Sequence, residues 1–180
     1  IAVYDLGGGT FDISILKISN GIFEVLSTNG DTYLGGDDLD RAIIEYWLKS
    51  WKVNDANNHK QLQQELRLAA EQAKITLSNA DIFETEFAGE KISITKEVFE
   101  NLIEPIVKRT MDCCSNAMRD AGLQVSDINT VLMVGGSTRV PMVKQMVADF
   151  FQQAVNDSVN PDEVVALGAA VQADILAGNN

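Results

Sequence analysis

The chain has 180 residues, 46% of them hydrophobic and 22% charged, enough for one well-filled core or for a core with a smaller appended lobe. Its 14 basic and 26 acidic residues leave a formal net charge of −12, which argues against a nucleic-acid or anionic-membrane surface. The cysteines Cys113 and Cys114 are adjacent in a helical stretch, where neighbouring side chains diverge, and the one histidine, His59, lies in a polar run, so neither a zinc site nor a Ser/His/Asp triad has the residues it needs.

No apolar run is long enough to span a bilayer, and none of the given residues reads as a signal peptide, so neither a membrane span nor a leader is expected from these residues. The chain opens on Ile1, already inside a strand, and lacks an initiator Met, so it is expected to be a piece of something longer.

Ile1-Ala2-Val3-Tyr4 and Phe11 to Ile18 have strand composition and frame Asp5-Leu6-Gly7-Gly8-Gly9-Thr10-Phe11-Asp12 as a hairpin tip. Three successive glycines allow positive φ and let bare amides approach a phosphate, while Asp5 and Asp12 are hard oxygen ligands for Mg²⁺ or its water shell, and Thr10 adds a hydroxyl. An ordinary Gly-rich hairpin with turn-favouring aspartates reads the same way. Ser19-Asn20-Gly21 then turns the chain into Ile22 to Thr28, giving a three-stranded meander.

Leu34-Gly35-Gly36-Asp37-Asp38 leads into a helix marked by Ile43, Ile44, Trp47, Leu48 and Trp51. A diglycine and Asp at a helix start can meet an anion, or can simply cap the helix. The polar segment Asn54 to Asn58 breaks this helix, and Leu62, Leu66, Ala69, Ala70, Ala73 and Leu77 define the next. On it Glu71, Lys74 and Ser78 share one face, either as a solvated stripe or as groups presented to a ribose or base.

Ile82 to Phe87 and Lys91 to Ile94 form a short hairpin, and Thr95 caps a helix that runs to Gly122, with Pro105 expected to kink or restart it. Glu71 through Ile94 reads as a small helix-and-hairpin subdomain, with the long helices on either side as its hinges. Thr130 to Val134 has the pattern of a doubly buried strand and ends in Gly135-Gly136-Ser137-Thr138-Arg139-Val140-Pro141, where a ligand can lie beyond a strand's carboxyl end. A planar base fits against bare backbone there, with the Arg139 guanidinium stacked on it. Asn160-Pro161-Asp162-Glu163 starts the last helix, whose small residues Ala166, Gly168, Ala169, Ala170 and Ala173 allow close packing.

Taken together, DLGGGTFD, LGGDDLD, the helix with Glu71, Lys74 and Ser78, VGGSTRVP and NPDEVVALGAAVQA resemble the second half of the nucleotide-binding domain of the DnaK-type chaperones, the seventy-kilodalton heat-shock proteins. The resemblance covers essentially the whole chain. It implies an α/β, RNase H-like, actin-type ATPase lobe: a five-stranded mixed sheet flanked by helices over residues 1–52 and 108–180, with a small α+β subdomain inserted at 53–107. It implies ATP or ADP with Mg²⁺. Gly7, Gly8, Gly9 and Thr10 would hold the β- and γ-phosphates, and Asp5, Thr10 and Asp12 would form the catalytic set, with Asp5 and Asp12 on the magnesium shell through water. Gly36 and Asp37 would lie near ribose and phosphates. Glu71, Lys74 and Ser78 would contact the nucleoside, and Gly135, Gly136, Ser137, Arg139 and Asp162 would enclose the adenine.

The resemblance also implies a J-domain co-chaperone, a client held by a separate substrate-binding domain, a nucleotide-exchange factor, and a location in the bacterial cytoplasm or the mitochondrial matrix. Three features depart from the family pattern. The first lobe of the ATPase, with its own phosphate loop, lysine and glutamate, is not in the chain, so the chain alone is expected to hydrolyse ATP poorly or not at all. Ile75 stands where some relatives carry an arginine that stacks on adenine. The segment between Ser78 and Thr95 is short, which, with VQADILAGN, resembles the branch that serves iron–sulfur cluster assembly. Competing readings are a general folding chaperone, a sugar kinase of the same superfamily, which would need a sugar-binding loop, and an actin-like filament protein, which GGSTRVP and NPDE fit poorly.

Overall fold

A computed structural model describes residues 1–51, 60–87, 89–158, 160 and 163–178. Alternation of buried and exposed positions builds the sheet. Strand β1 (Ala2–Leu6) pairs antiparallel with β2 (Phe11–Ser19), and β2 pairs antiparallel with β3 (Ile22–Asp31). Asn20 and Gly21 make the tight β2–β3 turn with φ of 51° and 76°, the twist that a two-residue hairpin needs. Strand β6 (Val131–Val134) adds in parallel on the other side of β1, so the sheet is mixed, in the order β3-β2-β1-β6.

The resemblance implies a fifth strand, and the described residues show four in this sheet. After α4 (Pro141–Phe151) the chain touches β6 at one bridge only, with Asn156 N–H donating to Val131 O at 2.7 Å and Asn156 O accepting from Met133 N–H at 3.1 Å. The Asn156 side chain then accepts from the N–H and hydroxyl of Ser158, an Asx turn that bends the backbone away before a ladder can form.

One face of the sheet is apolar. Ala2, Tyr4, Leu6, Phe11, Ile13 and Ile15 are all buried there under α3 (Lys96–Ala121). Tyr4 and Thr110 share a buried 2.7 Å hydrogen bond, and Ser27 donates to Ala117 O, which ties β1 and β3 to that helix. Thr95 caps α3 by accepting from Val98 N–H, and Gly122 ends it in the left-handed conformation at φ 67°. Pro105 does not restart the helix: α3 is one helix across it. The proline lies on the exposed side, so the carbonyl it leaves unbonded one turn earlier, at exposed Asn101, faces water. The helix therefore runs unbroken across the expected boundary at 107/108.

Helix α1 (Gly36–Trp51) packs on α3 and on α2 (Lys60–Leu77), and α2 packs on the hairpin of β4 (Ile82–Phe87) and β5 (Glu90–Thr95). Trp47 of α1 bridges the parts, buried in the core while its indole N–H donates to Ser93 O of β5 at 3.0 Å. A single apolar cluster joins Leu66, Ala70, Ala73 and Leu77 of α2 to the residues under the sheet. Burial pushes the Cys114 thiol far above its ordinary range, and Cys113 is raised as well, so both are inert packing groups.

The last helix, α5 (Val164–Leu176), departs from expectation. Its small residues do not mark a packed face: Val165, Leu167, Val171 and Leu176 are 53–78% exposed. A run of small residues signals that close approach is possible without naming the surface approached.

Candidate nucleotide site

Three glycine turns meet at one carbonyl. The β1–β2 loop closes on itself through Gly7 N–H to Thr10 O at 3.0 Å. Gly7 O then accepts from Gly36 N–H at 2.9 Å and from the Ser137 hydroxyl at 3.1 Å, while Gly8 O accepts from Asp37 N–H at 2.7 Å. The first turn of α1 and the turn after β6 are thus both fastened to the β1–β2 loop.

Glycine is required where these backbones touch. A Cβ on Gly35 would lie 2.4 Å from Gly8 O, one on Gly36 2.3 Å from Ser137 Oγ, and one on Gly135 2.3 Å from Leu6 O. Gly135 also has φ 85°, and Thr138 Oγ1 bonds back to its carbonyl at 2.6 Å, fixing the short 3₁₀ turn Gly136–Arg139. Gly7, Gly8 and Gly9 behave differently from expectation, because none of them has a positive φ. A four-residue loop has room to turn without it. A Cβ on Gly8 or Gly9 meets no atom within 4 Å, so what these two glycines leave open is space outside the fold.

A cleft of about 520 Å³ opens beside the loop, lined by Gly8, Asp37, Glu71, Lys74, Gly136, Ser137 and Arg139 among the anticipated residues. A second recess of about 380 Å³ continues it past Ser78 and shares Lys74, Ile75, Gly136, Ser137 and Arg139. These dimensions suit a nucleotide-sized ligand. Gly7 and Gly135 stand behind the wall, and Gly36 packs beneath Ser137 and Lys74. Asp162, expected near the base, and Pro161 and His59 lie outside the described residues.

Asp5, Asp12, Gly9 and Thr10 do not line the cleft. Asp5 and Asp12 are direct cross-strand partners on the sheet face away from α3, with Asp5 half-buried and Asp12 exposed. Like charges placed opposite each other destabilise a strand pair. The Asp5 carboxyl is held above its usual range, first by burial and then by repulsion from Asp12. No group of three or more His, Cys, Asp or Glu among the described residues could enclose a metal. Two carboxylates beside an open glycine loop do fit a Mg²⁺ that keeps its waters and shares a phosphate.

Several roles differ from those anticipated. The Ser137 hydroxyl is committed to Gly7 O and serves the loop. Arg139 sits exposed at the rim, where its guanidinium donates to Asn160 Oδ1 at 2.8 Å. Ser78 donates to Lys74 O at 3.1 Å. Asp38 is the group that caps α1, accepting from Gly35 N–H at 2.8 Å and pairing with Arg41, which leaves Asp37 to the cleft.

Two further residues were not anticipated. Arg67 pairs with Asp37 at 3.2 Å, and Asp40, 5% exposed, pairs with Lys74 at 2.8 Å. Both were detectable. Arg67 is one turn before Glu71 on the same face of α2, and Asp40 falls on the stripe of Ile43 and Trp47, where a carboxylate needs a partner.

The family model described as Hsp70 protein matches residues 1–180. The chain belongs to the Hsp70 family. Within that family it is 53% identical to Chaperone protein HscA of Cronobacter sakazakii, over 99% of this chain and 29% of the relative. It is 52% identical to Chaperone protein HscA of Klebsiella pneumoniae, with the same coverage, and 51% identical to Chaperone protein HscA homolog of Aeromonas hydrophila. The chain spans about 29% of the length of these relatives. Membership gives the chain the actin-like ATPase fold of Hsp70 nucleotide-binding domains, and the mixed sheet flanked by helices agrees with it. No helix among the described residues is long and apolar enough to cross a membrane.

Proposed function

We propose that the chain is the second lobe of the ATP-binding domain of an HscA-like Hsp70 chaperone, binding ATP or ADP with Mg²⁺ to control client binding in iron–sulfur cluster assembly. The observation that carries this reading is the convergence of three glycine turns on Gly7 O beside a cleft of about 520 Å³. Beside it the Gly7–Thr10 loop would take the phosphates through Gly8, with Gly36 and Asp37 on the ribose side, Lys74, Glu71 and Ser78 on the nucleoside and Gly136 and Arg139 on the base, where Asp162, outside the described residues, is expected as well. Ile75, 54% exposed on both recesses, supplies apolar surface where a stacking arginine is missing. Mg²⁺, when bound, neutralises phosphate charge as it transfers.

The chain's own residues have separable tasks. Asp5 and Asp12 would hold the Mg²⁺ shell, and a cation there would offset the repulsion between the two carboxylates. Gly8 and Gly9 give the phosphates access. Gly8, Asp37, Gly136 and Arg139 line one side of the cleft and Arg67, Glu71 and Lys74 the other, which agrees with a core of residues 1–52 and 108–180 and an inserted unit of 53–107. The full protein works with a J-domain co-chaperone, a client and, in some settings, an exchange factor. The bacterial relatives favour the bacterial cytoplasm as its location.

Asp5→Asn in the full-length protein tests the reading. The Asp5 carboxyl is raised above its ordinary 3.8, so below that value it is protonated in both states and costs nothing. As pH rises through the folded value, the ionised form costs stability. Without nucleotide, the variant is therefore expected to melt higher than wild type at pH 7 and equally at pH 3. Its ATP turnover is expected to fall about 100-fold or more. Normal turnover would refute the assignment of Asp5.

A further inference from the structure

The pair Asp40–Lys74 is unusual for its burial. Asp40 is 5% exposed, and the side chains of the pair are 7% and 15% exposed, so two charges have been taken out of water between α1 and α2. Such a pair does little for stability, because the desolvation cost offsets the attraction, and two packed apolar residues would serve the helix contact as well. Its position accounts for it better. Both residues line the 520 Å³ cleft, and Lys74 also lines the recess next to it.

An ammonium has three donors. Lys74 Nζ gives one to Asp40 Oδ2 at 3.0 Å, with Oδ1 at 2.8 Å, and a second to Gly36 O at 3.4 Å. The glycine is part of the arrangement, since a Cβ on Gly36 would stand 3.3 Å from Nζ. Among the described residues no acceptor takes the third donor, and Lys74 lines the cleft.

We propose that Asp40 is a positioning residue for the nucleotide: its buried carboxylate holds Lys74 Nζ over Gly36 so that the remaining proton is presented to a ribose hydroxyl. The inference rests on the nucleotide reading above and deepens it. Asp40 acts through Lys74 and does not itself touch the ligand.

The experiment measures affinities of the full-length chaperone for MgADP and for the 2′,3′-dideoxy analogue. Wild type is expected to prefer ADP by about tenfold, the worth of one charge-assisted hydrogen bond. Asp40→Asn, which keeps the shape and loses the charge, is expected to abolish that preference. A residue that merely supported the fold would weaken both ligands alike and leave the ratio intact, and that outcome would overturn the proposal.

Asp40→Asn leaves a buried ammonium uncompensated and can fail to fold. The double variant Asp40→Asn/Lys74→Met avoids this by leaving no charge at either position, and in Lys74→Met the orphaned Asp40 carboxyl can take up a proton and become neutral. Both are expected to bind ADP equally, without preference over the analogue. A further loss in the double variant would mean that Asp40 contacts the nucleotide directly, contrary to the proposal. Wild type that binds ADP without discriminating overturns the inference alone, whereas wild type that binds no nucleotide overturns the site reading beneath it.

Discussion

Gly8→Val in the full-length protein is expected to reduce ATP turnover at least about 100-fold while leaving the melting temperature within a degree or two of wild type. The two halves of this expectation have separate causes. Gly8 has no positive φ, and a Cβ there meets no atom within 4 Å, so the fold has no reason to object to a side chain. The space is free where the loop borders the cleft, and a branched side chain would fill the volume that the proposed phosphate position needs. Turnover assays with a parallel thermal melt check both halves. A variant that turns over normally would show that the phosphates lie elsewhere, and one that melts early would show that the loop is part of the core.

Gly135→Ala should do the reverse. Its Cβ would fall 2.3 Å from Leu6 O and 2.8 Å from Asp5 Oδ1, with φ at 85°, a conformation that alanine rarely adopts. Backbone cannot yield as a flexible side chain can, so β1 and β6 must separate where they run parallel. The expected cost is about 3 kcal/mol, which combines left-handed strain with overpacking. Chemical denaturation would show it as a lower midpoint at unchanged slope. If Gly135→Ala matched wild type, the close approach of the two strand ends would be wrong. The contrast between Gly8 and Gly135, alike in sequence and opposite in consequence, separates the glycines that admit a ligand from those that admit another backbone.

Much of this was legible in the sequence. The hairpin, the helix starts at Gly36 and Thr95, the buried strand before Gly135 and the cleft residues Lys74, Glu71 and Arg139 each left a periodic or turn signal in a short window. What escaped depends on contacts between distant segments. Ser137 reads as a residue beside the base, and only the approach of Gly7, 130 positions earlier, turns its hydroxyl to the loop. Asp40 lies on the apolar stripe of α1, which signals that it needs a partner, but only the packing of α2 names that partner as Lys74. Pro105 failed to break α3 because its position faces water, a fact set by how the helix lies on the sheet. Among the described residues the expected fifth strand is reduced to one bridge at Asn156, whose side chain is engaged locally by Ser158.

The claim on which everything rests is that one nucleotide occupies the space between the three glycine turns. Titration of the isotopically labelled chain with MgADP, followed through backbone amide resonances, tests it most directly. Binding, even weak, should move the signals of Gly8, Gly9, Thr10, Asp37 and Gly136 together, saturate along one curve, and leave the β4–β5 hairpin unmoved. A folded chain whose spectrum does not change at millimolar MgADP, or whose shifts gather away from these turns, would contradict the account.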